Sequence, residues 1–326
     1  MSLNGIDISN WQSTINLSAI KADFIIVKSS EGIDWADPSF PKLFKAAKQT
    51  GKKLGVYHFA RPTTDNDPVK EADSFINIIK PEGVIGNAIL VLDWEAENQQ
   101  NTAYAKKWMD RVYEKTKVKP LIYMSENVTK IYDWSAVAKE YDLWVAKYRD
   151  NELDYNYNMA SAGSKPVVKY WKDYKLWQWT SSGKLDGYSG KLDCNIFYGD
   201  KKDWDKMASI PKKNGWKKEN GVWYYYKEDK RLTGWHKLAW NEEQNWYYFN
   251  ASGKMLTGWQ QLKWSKGTDW FYFSSGGAMQ TGWKKLTWKN KQNWYYFNLS
   301  SGAMEKSKVI SGQITLGKDG TISNIK

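Results

Sequence analysis

The sequence predicts an α/β barrel of the (β/α)8 type followed by an all-β solenoid of stacked hairpin repeats. Residues 1–200 alternate eight short apolar runs with segments of helical spacing. Polar residues occur late in most of these runs or just after them. Beyond residue 213 the composition changes abruptly to Trp, Tyr, Gly and Lys, and a repeat of 24 residues begins.

The eight apolar runs are predicted strands, at residues 5–9, 24–30, 54–60, 88–95, 120–125, 143–148, 176–180 and 192–197. Residues 38–51, 67–80 and 101–116 have the apolar spacing of amphipathic helices. The segment 150–170, rich in Asn, Tyr, Ser and Gly, is predicted to be a long loop. Strands that alternate with helices indicate a parallel sheet, and eight strands indicate a closed barrel.

Composition excludes several classes of site. The chain of 326 residues has one cysteine, Cys194, and two histidines, so it cannot form an internal disulfide or assemble the usual zinc ligand sets. No apolar stretch approaches the roughly 18 residues needed to cross a bilayer. The first residues lack the basic and apolar segments of a secretory signal. We expect neither a metal nor a cofactor, and hydrolytic chemistry would depend on carboxylates.

The net charge of +12 lies entirely in the tail. Residues 1–200 carry 26 Lys and Arg against 26 Asp and Glu, whereas residues 201–326 carry 22 against 10. A basic module beside a neutral one predicts an anionic partner for the tail: nucleic acid, a membrane surface or a phosphate-bearing wall polymer.

The stretch ILVLDWEAE at residues 89–97 is the strongest candidate for an active site. Asp93 and Glu95 would share one face of a strand end, where like charges raise the free energy unless they serve chemistry. The active site of a (β/α)8 barrel lies at the carboxyl ends of its strands. Comparable positions on other runs hold Asp7, Lys28, Glu31, Tyr57, His58, Arg61, Tyr123, Lys147, Trp177, Trp179 and Asp193.

Seven motifs in order carry a resemblance to a known family: GIDISNWQ, FIIVKSSEG, GVYHFARP, LVLDWEAE, PLIYMS, LWVAKY and YKLWQWTSSGKLDGYSGKLDCNIFYG. Together they resemble the family 25 glycoside hydrolases, muramidases that include many bacteriophage and bacterial lysozymes. The resemblance spans residues 4–199. It implies a flattened, partly irregular barrel that cleaves the bond between N-acetylmuramic acid and N-acetylglucosamine in peptidoglycan.

The resemblance also implies roles for the acidic residues. Glu95 would be the general acid with Asp93 beside it, and Asp7 and Asp193 would complete an acidic cluster. Neighbouring charge and partial burial would raise the pKa of the acid, as protonation of a glycosidic oxygen requires. Asp193 would stabilise the oxocarbenium-like state, either as nucleophile or by orienting the 2-acetamido group of the substrate. The sequence leaves both routes open.

Further residues of the motifs are predicted to contact substrate: Lys28, Glu31, Tyr57, His58, Arg61, Tyr123, Lys147, Trp177 and Glu97. For His58 a hydrogen-bonded structural role is the favoured alternative. Core packing is as good an interpretation as sugar stacking for Tyr57, Tyr123 and Trp177. Cys194 departs from the usual DLN pattern of the family, and we expect it to pack because its side chain should alternate away from Asp193.

The tail contains four units that begin with Gly-Trp and contain a WYYF-like run. Trp235, Trp259 and Trp283 are spaced by 24 residues. Each unit predicts a hairpin too small to bury its own face, so stacked hairpins would share a core. The stretch that begins VISGQ at Val309 lacks aromatics and is predicted to cap the stack. The predicted boundaries are a catalytic domain at 1–205, a linker at 206–214 and a repeat domain at 215–326.

The units resemble the choline-binding repeats of Gram-positive bacteria and their phages. Aromatic cages between hairpins would bind a quaternary ammonium ion by cation–π attraction. The candidate ligand-binding residues are Trp216, Trp223, Trp235, Trp246, Tyr248, Trp259, Trp270, Tyr272, Trp283, Trp294 and Tyr296. One cage would contain Trp235, Trp246 and Tyr272, and another Trp259, Trp270 and Tyr296, with Met279 as a floor. An extra Trp in each 24-residue unit (Trp240, Trp264 or Trp288) would enlarge or close a cage.

The resemblance predicts an endolysin or autolysin that binds peptidoglycan glycan strands and a choline-bearing teichoic acid or related wall polymer. A neutral saccharide is the alternative ligand of the repeats, and an inactive wall- or glucan-binding protein is the alternative function. Binding of nucleic acid or membrane is not expected, and ligand-induced dimerisation through the tail is left open. The enzyme would act at the extracellular Gram-positive wall, reached through a phage holin or another noncanonical route.

Overall fold

The computed structural model describes residues 1–158 and 162–325, which divide into two units, Met1–Pro211 and Lys212–Lys326. Residues 159–161 of the predicted loop and Lys326 of the predicted cap lie outside the described residues. Within the described ranges, no helix is long and apolar enough to cross a membrane.

Among its described residues, the first unit contains ten strands and six α-helices. The strands are β1 Leu3–Ile8, β2 Phe24–Glu31, β3 Trp35–Ala36, β4 Lys53–Phe59, β5 Ile89–Asp93, β6 Leu121–Ser125, β7 Leu143–Ala146, β8 Asp154–Tyr155, β9 Leu176–Lys184 and β10 Leu192–Phe197. The helices are α1 Phe40–Gln49, α2 Pro68–Ile79, α3 Thr102–Thr116, α4 Glu126–Ile131, α5 Ser135–Ala138 and α6 Lys201–Ala208. The side chain of Asp67 caps α2 by accepting from two backbone N–H groups, and Pro68 fits the first turn.

Eight of the strands close a barrel, in the order β1, β2, β4, β5, β6, β7, β9, β10 and back to β1. These are the eight predicted strands, and the predicted barrel is confirmed. The expectation of a parallel sheet is wrong for the last strand, since β10 pairs antiparallel with both β9 and β1. The reason is the connection: only residues 185–191 join β9 to β10, whereas a parallel crossover needs a dozen or more residues.

Alternate residues of the strands divide between two buried layers. The barrel interior contains apolar side chains such as Phe24, Ile89 and Leu176, whereas their neighbours in sequence pack outward against the helices. Helix α6 closes the end of the barrel opposite the carboxyl ends of the parallel strands. Its Trp204 is buried with its ring 4.5 Å from that of Phe24. Residues 206–208 of the predicted linker also belong to α6, and Ala208 is buried.

The described part of the second unit, residues 212–325, contains four antiparallel hairpins and a three-stranded end sheet. Hairpin 1 consists of β11 Gly215–Glu219 and β12 Val222–Lys227, followed by β13 Lys230–Arg231; hairpin 2 of β14 Gly234–Trp240 and β15 Glu243–Phe249; hairpin 3 of β16 Gly258–Trp264 and β17 Gly267–Phe273; hairpin 4 of β18 Gly282–Trp288 and β19 Lys291–Phe297. Strands β20 Val309–Ile310, β21 Ile314–Leu316 and β22 Ile322–Ile325 form the end sheet.

Successive hairpins are joined by the same hydrogen bond. The backbone N–H of Met255, Met279 or Met304, which follows one hairpin, donates to a Trp carbonyl of the hairpin before it at 2.8–2.9 Å. Three separate apolar clusters lie between the hairpins, each containing rings from two neighbours. A single hairpin thus buries its face only against the next one, as the repeat predicts.

Candidate functional site

Four carboxyl groups meet in one cavity at the mouth of the barrel. Asp7 lies near the end of β1, Asp93 ends β5, and Glu95 follows two residues later. Asp193 lies near the start of β10 and pairs with Asp7 across the antiparallel ladder. All four line a cavity of about 160 Å³. Since β10 runs opposite to the parallel strands, its beginning lies at their carboxyl ends.

Five uncharged side chains complete the lining of this cavity. Tyr57 and Tyr123 were predicted from the sequence, whereas Trp144, Tyr148 and Gln178 were missed. The amide oxygen of Gln178 accepts hydrogen bonds from the hydroxyls of Tyr123, at 2.6 Å, and Tyr148. With its oxygen occupied by these donors, the Gln178 amide must turn its NH₂ group towards the acids.

Two amides hold the carboxyl of Asp7. Gln178 Nε2 and Asn195 Nδ2 both donate to Asp7 Oδ1, at 2.9 and 2.7 Å. Asn195 is itself oriented, because its Oδ1 accepts from Trp144 Nε1 at 2.9 Å. The available sequence signal was a polar residue inside an apolar run, as in LWQWT and LDCN, at a position that faces the barrel interior.

Burial raises the pKa of all four acids, and repulsion from a neighbouring carboxylate adds to the rise for Asp7, Asp93 and Asp193. For Asp7, burial is the main cause of the raised pKa, and the charge of Asp193 is the next. The two amides that donate to Asp7 oppose this rise. Burial and the charge of Glu95 raise the pKa of Asp93, and the same two causes raise the pKa of Asp193 to about 7. Buried Asp93 Oδ1 meets no hydrogen-bond donor among the described residues, which also favours its protonated form.

Glu95 is the exposed member of the four. The walls of the cavity nevertheless remove enough water from its carboxyl to raise its pKa, and the charge of Lys28 opposes that rise. Four carboxyls this close cannot all be ionised at neutral pH, so the cluster retains protons there. Such a site can both donate a proton and present a carboxylate. Within residues 1–158 and 162–325, no three side chains are arranged to hold a metal ion.

A charged cluster lies at the ends of β2 and β4, outside the lining of the cavity. Glu31 accepts from Lys28 Nζ at 2.7 Å and from Arg61 Nε at 2.7 Å, and Arg61 also contacts Glu97 at 3.4 Å. The cations of Lys28 and Arg61 each lie 4.7 Å from the centre of the Phe59 ring. Four of the predicted substrate contacts therefore form an ion-pair network. Its Lys28 opposes the raised pKa of Asp93 and Glu95, whereas its Glu31 adds to that of Asp93.

His58 is fully buried on the outer side of β4. Its Nε2 lies 3.0 Å from Glu71 Oε1 and its Nδ1 2.9 Å from Ser30 Oγ, and its ring stacks on that of Trp108. A side chain enclosed in this way cannot contact a substrate, so the structural role replaces the predicted contact. Tyr57 faces the cavity because neighbouring residues of a strand point to opposite faces.

Two more predicted contacts lie away from the cavity. Trp177 is buried in the outer layer, because its neighbour Gln178 points into the barrel. Its Nε1 donates to the carbonyl of Lys147 at 2.9 Å. The ammonium group of Lys147 contacts Ser164 Oγ at 3.0 Å and Glu126 at 3.4 Å. Cys194 is buried in the outer layer, as its alternation with Asp193 predicts.

The tail presents aromatic cages between hairpins, with walls that differ from those predicted. Trp235, Trp246 and Met279 line a cavity of about 290 Å³ as expected, but the next hairpin contributes Trp264 and Phe271. The corresponding residues between hairpins 3 and 4 are Trp259, Trp270, Met304, Trp288 and Tyr295.

The prediction of Tyr272 and Tyr296 as third walls is wrong. Each packs against the first Trp of its own hairpin, with ring centres 5.3 Å apart for Tyr272 and 5.0 Å apart for Tyr296, and Tyr248 does the same at 5.1 Å. These tyrosines stand directly across their hairpin from that Trp. The preceding residue of each run points to the opposite face and towards the previous hairpin.

Comparison with known proteins decides the family. A model of the glycosyl hydrolases of family 25 matches residues 6–188, more than half of the chain. The chain belongs to this family. A model of a choline-binding type of cell wall binding repeat matches residues 214–229, 233–255 and 281–304.

Individual relatives agree with this assignment. The N,O-diacetylmuramidase of Chalaropsis sp is 30% identical over 226 residues, which cover 64% of this chain and 99% of that protein. The autolytic lysozyme of Clostridium acetobutylicum is 27% identical over 202 residues, covering 60% and 56%. The catalytic domain of endolysin ply40 from bacteriophage P40 of Listeria monocytogenes matches 64% of this chain and 98% of its own, at 26% identity and a TM-score of 0.52. This family 25 enzyme is a glycoside hydrolase of the lysozyme type with wall-binding repeats.

Proposed function

We propose that this enzyme hydrolyses the β-1,4 bond between N-acetylmuramic acid and N-acetylglucosamine in peptidoglycan, and that its repeats direct it to a choline-bearing polymer of the Gram-positive wall. One observation carries the catalytic half of the proposal. Four carboxyls from β1, β5 and β10 line one cavity at the mouth of the barrel, and their pKa values are raised.

Glu95 is the general acid in this proposal. Its carboxyl is the one exposed at the mouth, where a glycosidic oxygen can approach, and desolvation raises its pKa. Docking of the glycan would exclude more water from the carboxyl and raise that pKa further. Proton transfer from a positioned carboxyl of this kind contributes a rate factor of about 10² to 10⁴.

Asp193 is the second carboxyl of the reaction. It faces the same cavity and can stabilise positive charge at the anomeric carbon, either by attacking it or by orienting the 2-acetamido oxygen for attack. Asp7 pairs with Asp193 across the ladder and is fixed by Gln178 and Asn195. Asp7 therefore acts on Asp193 as a positioning residue, because a fixed neighbouring carboxyl favours one orientation of the other.

The remaining lining supplies contacts for the sugar. Tyr57, Tyr123 and Tyr148 bring ring edges and hydroxyls to the cavity, a combination that suits the apolar faces and polar rims of a hexose. Lys28 and Arg61 lie in the charged cluster beside the mouth, where they can reach a carboxylate or lactyl group of a longer glycan.

Turbidity clearing of purified walls tests the catalytic assignment. Glu95→Gln keeps the shape of the side chain and removes its proton, so we expect a loss of at least about 10²-fold in rate. The control is Glu114→Gln on α3, whose side chain is 61% exposed and is not part of the cavity lining. Equal clearing by Glu95→Gln and the parent enzyme would refute the assignment. Mass spectrometry of the products should find muramic acid at the new reducing ends.

The wall-binding half of the proposal is tested separately. Two or three ring faces around a gap attract a quaternary ammonium ion by about 0.5 to 2 kcal/mol per contact. The full chain should therefore bind a tertiary-amine resin and elute with choline, because the resin offers the same cationic group. Binding to a glucan column instead would support the saccharide alternative. Sedimentation velocity with and without choline would show whether the ligand also drives dimerisation.

A further inference from the structure

The extra tryptophan of the 24-residue unit occupies two different states in the three interfaces between hairpins. This residue is Trp240 in hairpin 2, Trp264 in hairpin 3 and Trp288 in hairpin 4, and it ends the first strand each time. In each interface it faces the two tryptophans that the preceding hairpin contributes to the cage. Its position therefore decides whether the gap between those two rings is open.

Between hairpins 3 and 4 the gap is closed. The ring centre of Trp288 lies 4.7 Å from that of Trp259 and 4.4 Å from that of Trp270, at angles of 83° and 86°. An indole at these distances from both rings occupies the place of a ligand between them. The cavity of about 450 Å³ beside it is lined by four lysines and one carboxylate, and this excess of positive charge disfavours a cation. These residues are Lys289, Lys291, Lys306, Lys318 and Asp319.

The interface between hairpins 1 and 2 is closed in the same way. Trp240 lies 5.1 Å from Trp216 and 4.7 Å from Trp223, again with nearly perpendicular rings. Two of the three interfaces thus share one packing. In both, the extra tryptophan fills the gap between the two tryptophans of the preceding hairpin, with its ring nearly perpendicular to theirs.

The interface between hairpins 2 and 3 is open. Among the described residues, Trp264 has no ring contact with Trp235 or Trp246, and its only close aromatic neighbour is Phe271 at 6.1 Å. These rings instead line the cavity of about 290 Å³. Trp246 is 40% exposed, whereas its counterparts in the closed interfaces are less exposed.

One substitution between the units explains the open state. Nε1 of Trp264 donates to Oδ2 of Asp269 at 2.8 Å, which turns the indole towards its own hairpin. The other units have Asn245 and Asn293 at this position. A carboxylate is a stronger acceptor for the indole N–H than a neutral amide. Phe271 also stands where the other units have a tyrosine, so the ring at this position brings no hydroxyl to the open cavity.

We propose that the extra tryptophan acts as a plug, a side chain that fills the ligand position of its cage. Asp269 holds the plug of hairpin 3, Trp264, outside that position. The cage of Trp235, Trp246, Phe271 and Met279 is then the one preorganised for a quaternary ammonium group, and the other two must first displace an indole. The identity of the ligand depends on the function proposed above, whereas the plug itself does not.

Choline titration of the full chain by calorimetry, together with crystal structures without ligand, tests this inference. The parent should bind one choline per chain tightly. Asp269→Ala removes the acceptor, so Trp264 should move onto Trp235 and Trp246, and the dissociation constant of the tight site should rise at least tenfold.

The reciprocal variant, which should open a second cage, is Asn245→Asp. It gives hairpin 2 the carboxylate that hairpin 3 has at the corresponding position. Its Trp240 should turn towards the new carboxylate and leave Trp216 and Trp223, and the number of tight sites should rise from one to two. An unchanged number of sites with Trp240 still in place would refute control of the cage by this position.

The two proposals fail in different ways. If the parent binds no choline but Trp264 moves onto Trp235 and Trp246 in Asp269→Ala, the assignment of choline as ligand is refuted and the role of Trp264 as a plug is supported. A Trp264 that keeps its open position in Asp269→Ala would overturn the plug, whether or not choline binds.

Discussion

Replacement of Asp193 by Asn should stabilise the folded enzyme at neutral pH while removing one of the four carboxyls that line the cavity. The carboxyl of Asp193 has its pKa raised from the ordinary value of 3.8 to about 7 by burial and by the charge of Glu95. The folded state therefore holds a proton that the unfolded chain releases. An asparagine has the same shape and never acquires the unfavourable charge.

The two pKa values of Asp193, in the folded and the unfolded chain, determine the sign and size of the change in the free energy of unfolding. Between pH 3.8 and about pH 7, Asp193 is protonated in the folded parent and ionised in the unfolded chain, so its contribution to stability falls as pH rises, and the full penalty is present above pH 7. That interval corresponds to about 4 kcal/mol, at about 1.4 kcal/mol for each pH unit. Because protonation of a neighbouring acid relieves part of the same repulsion, we expect a gain of about 1 to 3 kcal/mol.

Urea unfolding monitored at pH 7.5 and at pH 4 measures the effect. Asp193→Asn should exceed the parent in free energy of unfolding at pH 7.5 and approach it at pH 4. Asp65→Asn, an exposed acid of the loop after β4, is the control and should change stability equally little at both values. A stability of Asp193→Asn that is lower than that of the parent at pH 7.5, or a gain that persists at pH 4, would refute the electrostatic reasoning.

Three further changes test the supports of the site. Trp204→Ala should lower the free energy of unfolding by about 3 to 5 kcal/mol in a urea titration, because it empties the closed end of the barrel; a loss under about 1 kcal/mol would contradict that packing. Gly5→Ala should cost about 1 to 3 kcal/mol in the same assay, since its Cβ would lie 2.3 Å from the Phe24 ring, and no loss would show that the ring moves freely. Asn195→Ala removes a donor to Asp7 and should raise its pKa further, which a pH–rate profile shifted to higher pH would show and an unshifted one would exclude.

The strands of the barrel could be predicted because their apolar runs are short and well separated. Predicted residues 24–30 and 192–197, for example, correspond to β2 Phe24–Glu31 and β10 Leu192–Phe197. The direction of β10 was missed because an apolar run carries no direction. The length of the connection, residues 185–191, was visible in the sequence and excludes a parallel crossover.

The sequence placed the four acids better than the residues around them. A strand shows which residues share a face, but not which face turns inward, so Tyr57 and His58 were both assigned to the substrate although only one can face the cavity. The buried partners of His58 on the outer side, Glu71 and Ser30, come from elements whose packing cannot be read locally. Gln178 was missed for the same reason, since its neighbour Trp177 was the more conspicuous sugar ligand.

The cages show a similar limit. Their first two walls, such as Trp259 and Trp270, lie on one hairpin and follow from its alternation. The third wall depends on how the next hairpin turns towards the first, and this is fixed by bonds between hairpins such as that from Met304 N–H to the carbonyl of Trp270. The sequence of a single repeat does not show this rotation, so it predicts Tyr296 as the third wall where the structure has Tyr295.

The reversed last strand links the fold of the first unit to its chemistry. Asp193 is the second residue of β10, so a parallel β10 would place it at the closed end of the barrel, near Trp204 and away from Glu95. The antiparallel direction brings it level with Asp7 at the mouth, and Asn195, two residues later on the same face, reaches the Asp7 carboxyl. The short connection after β9 is thus a condition of the acidic cluster, because it forces the reversal that brings the carboxyl of Asp193 to the mouth of the barrel.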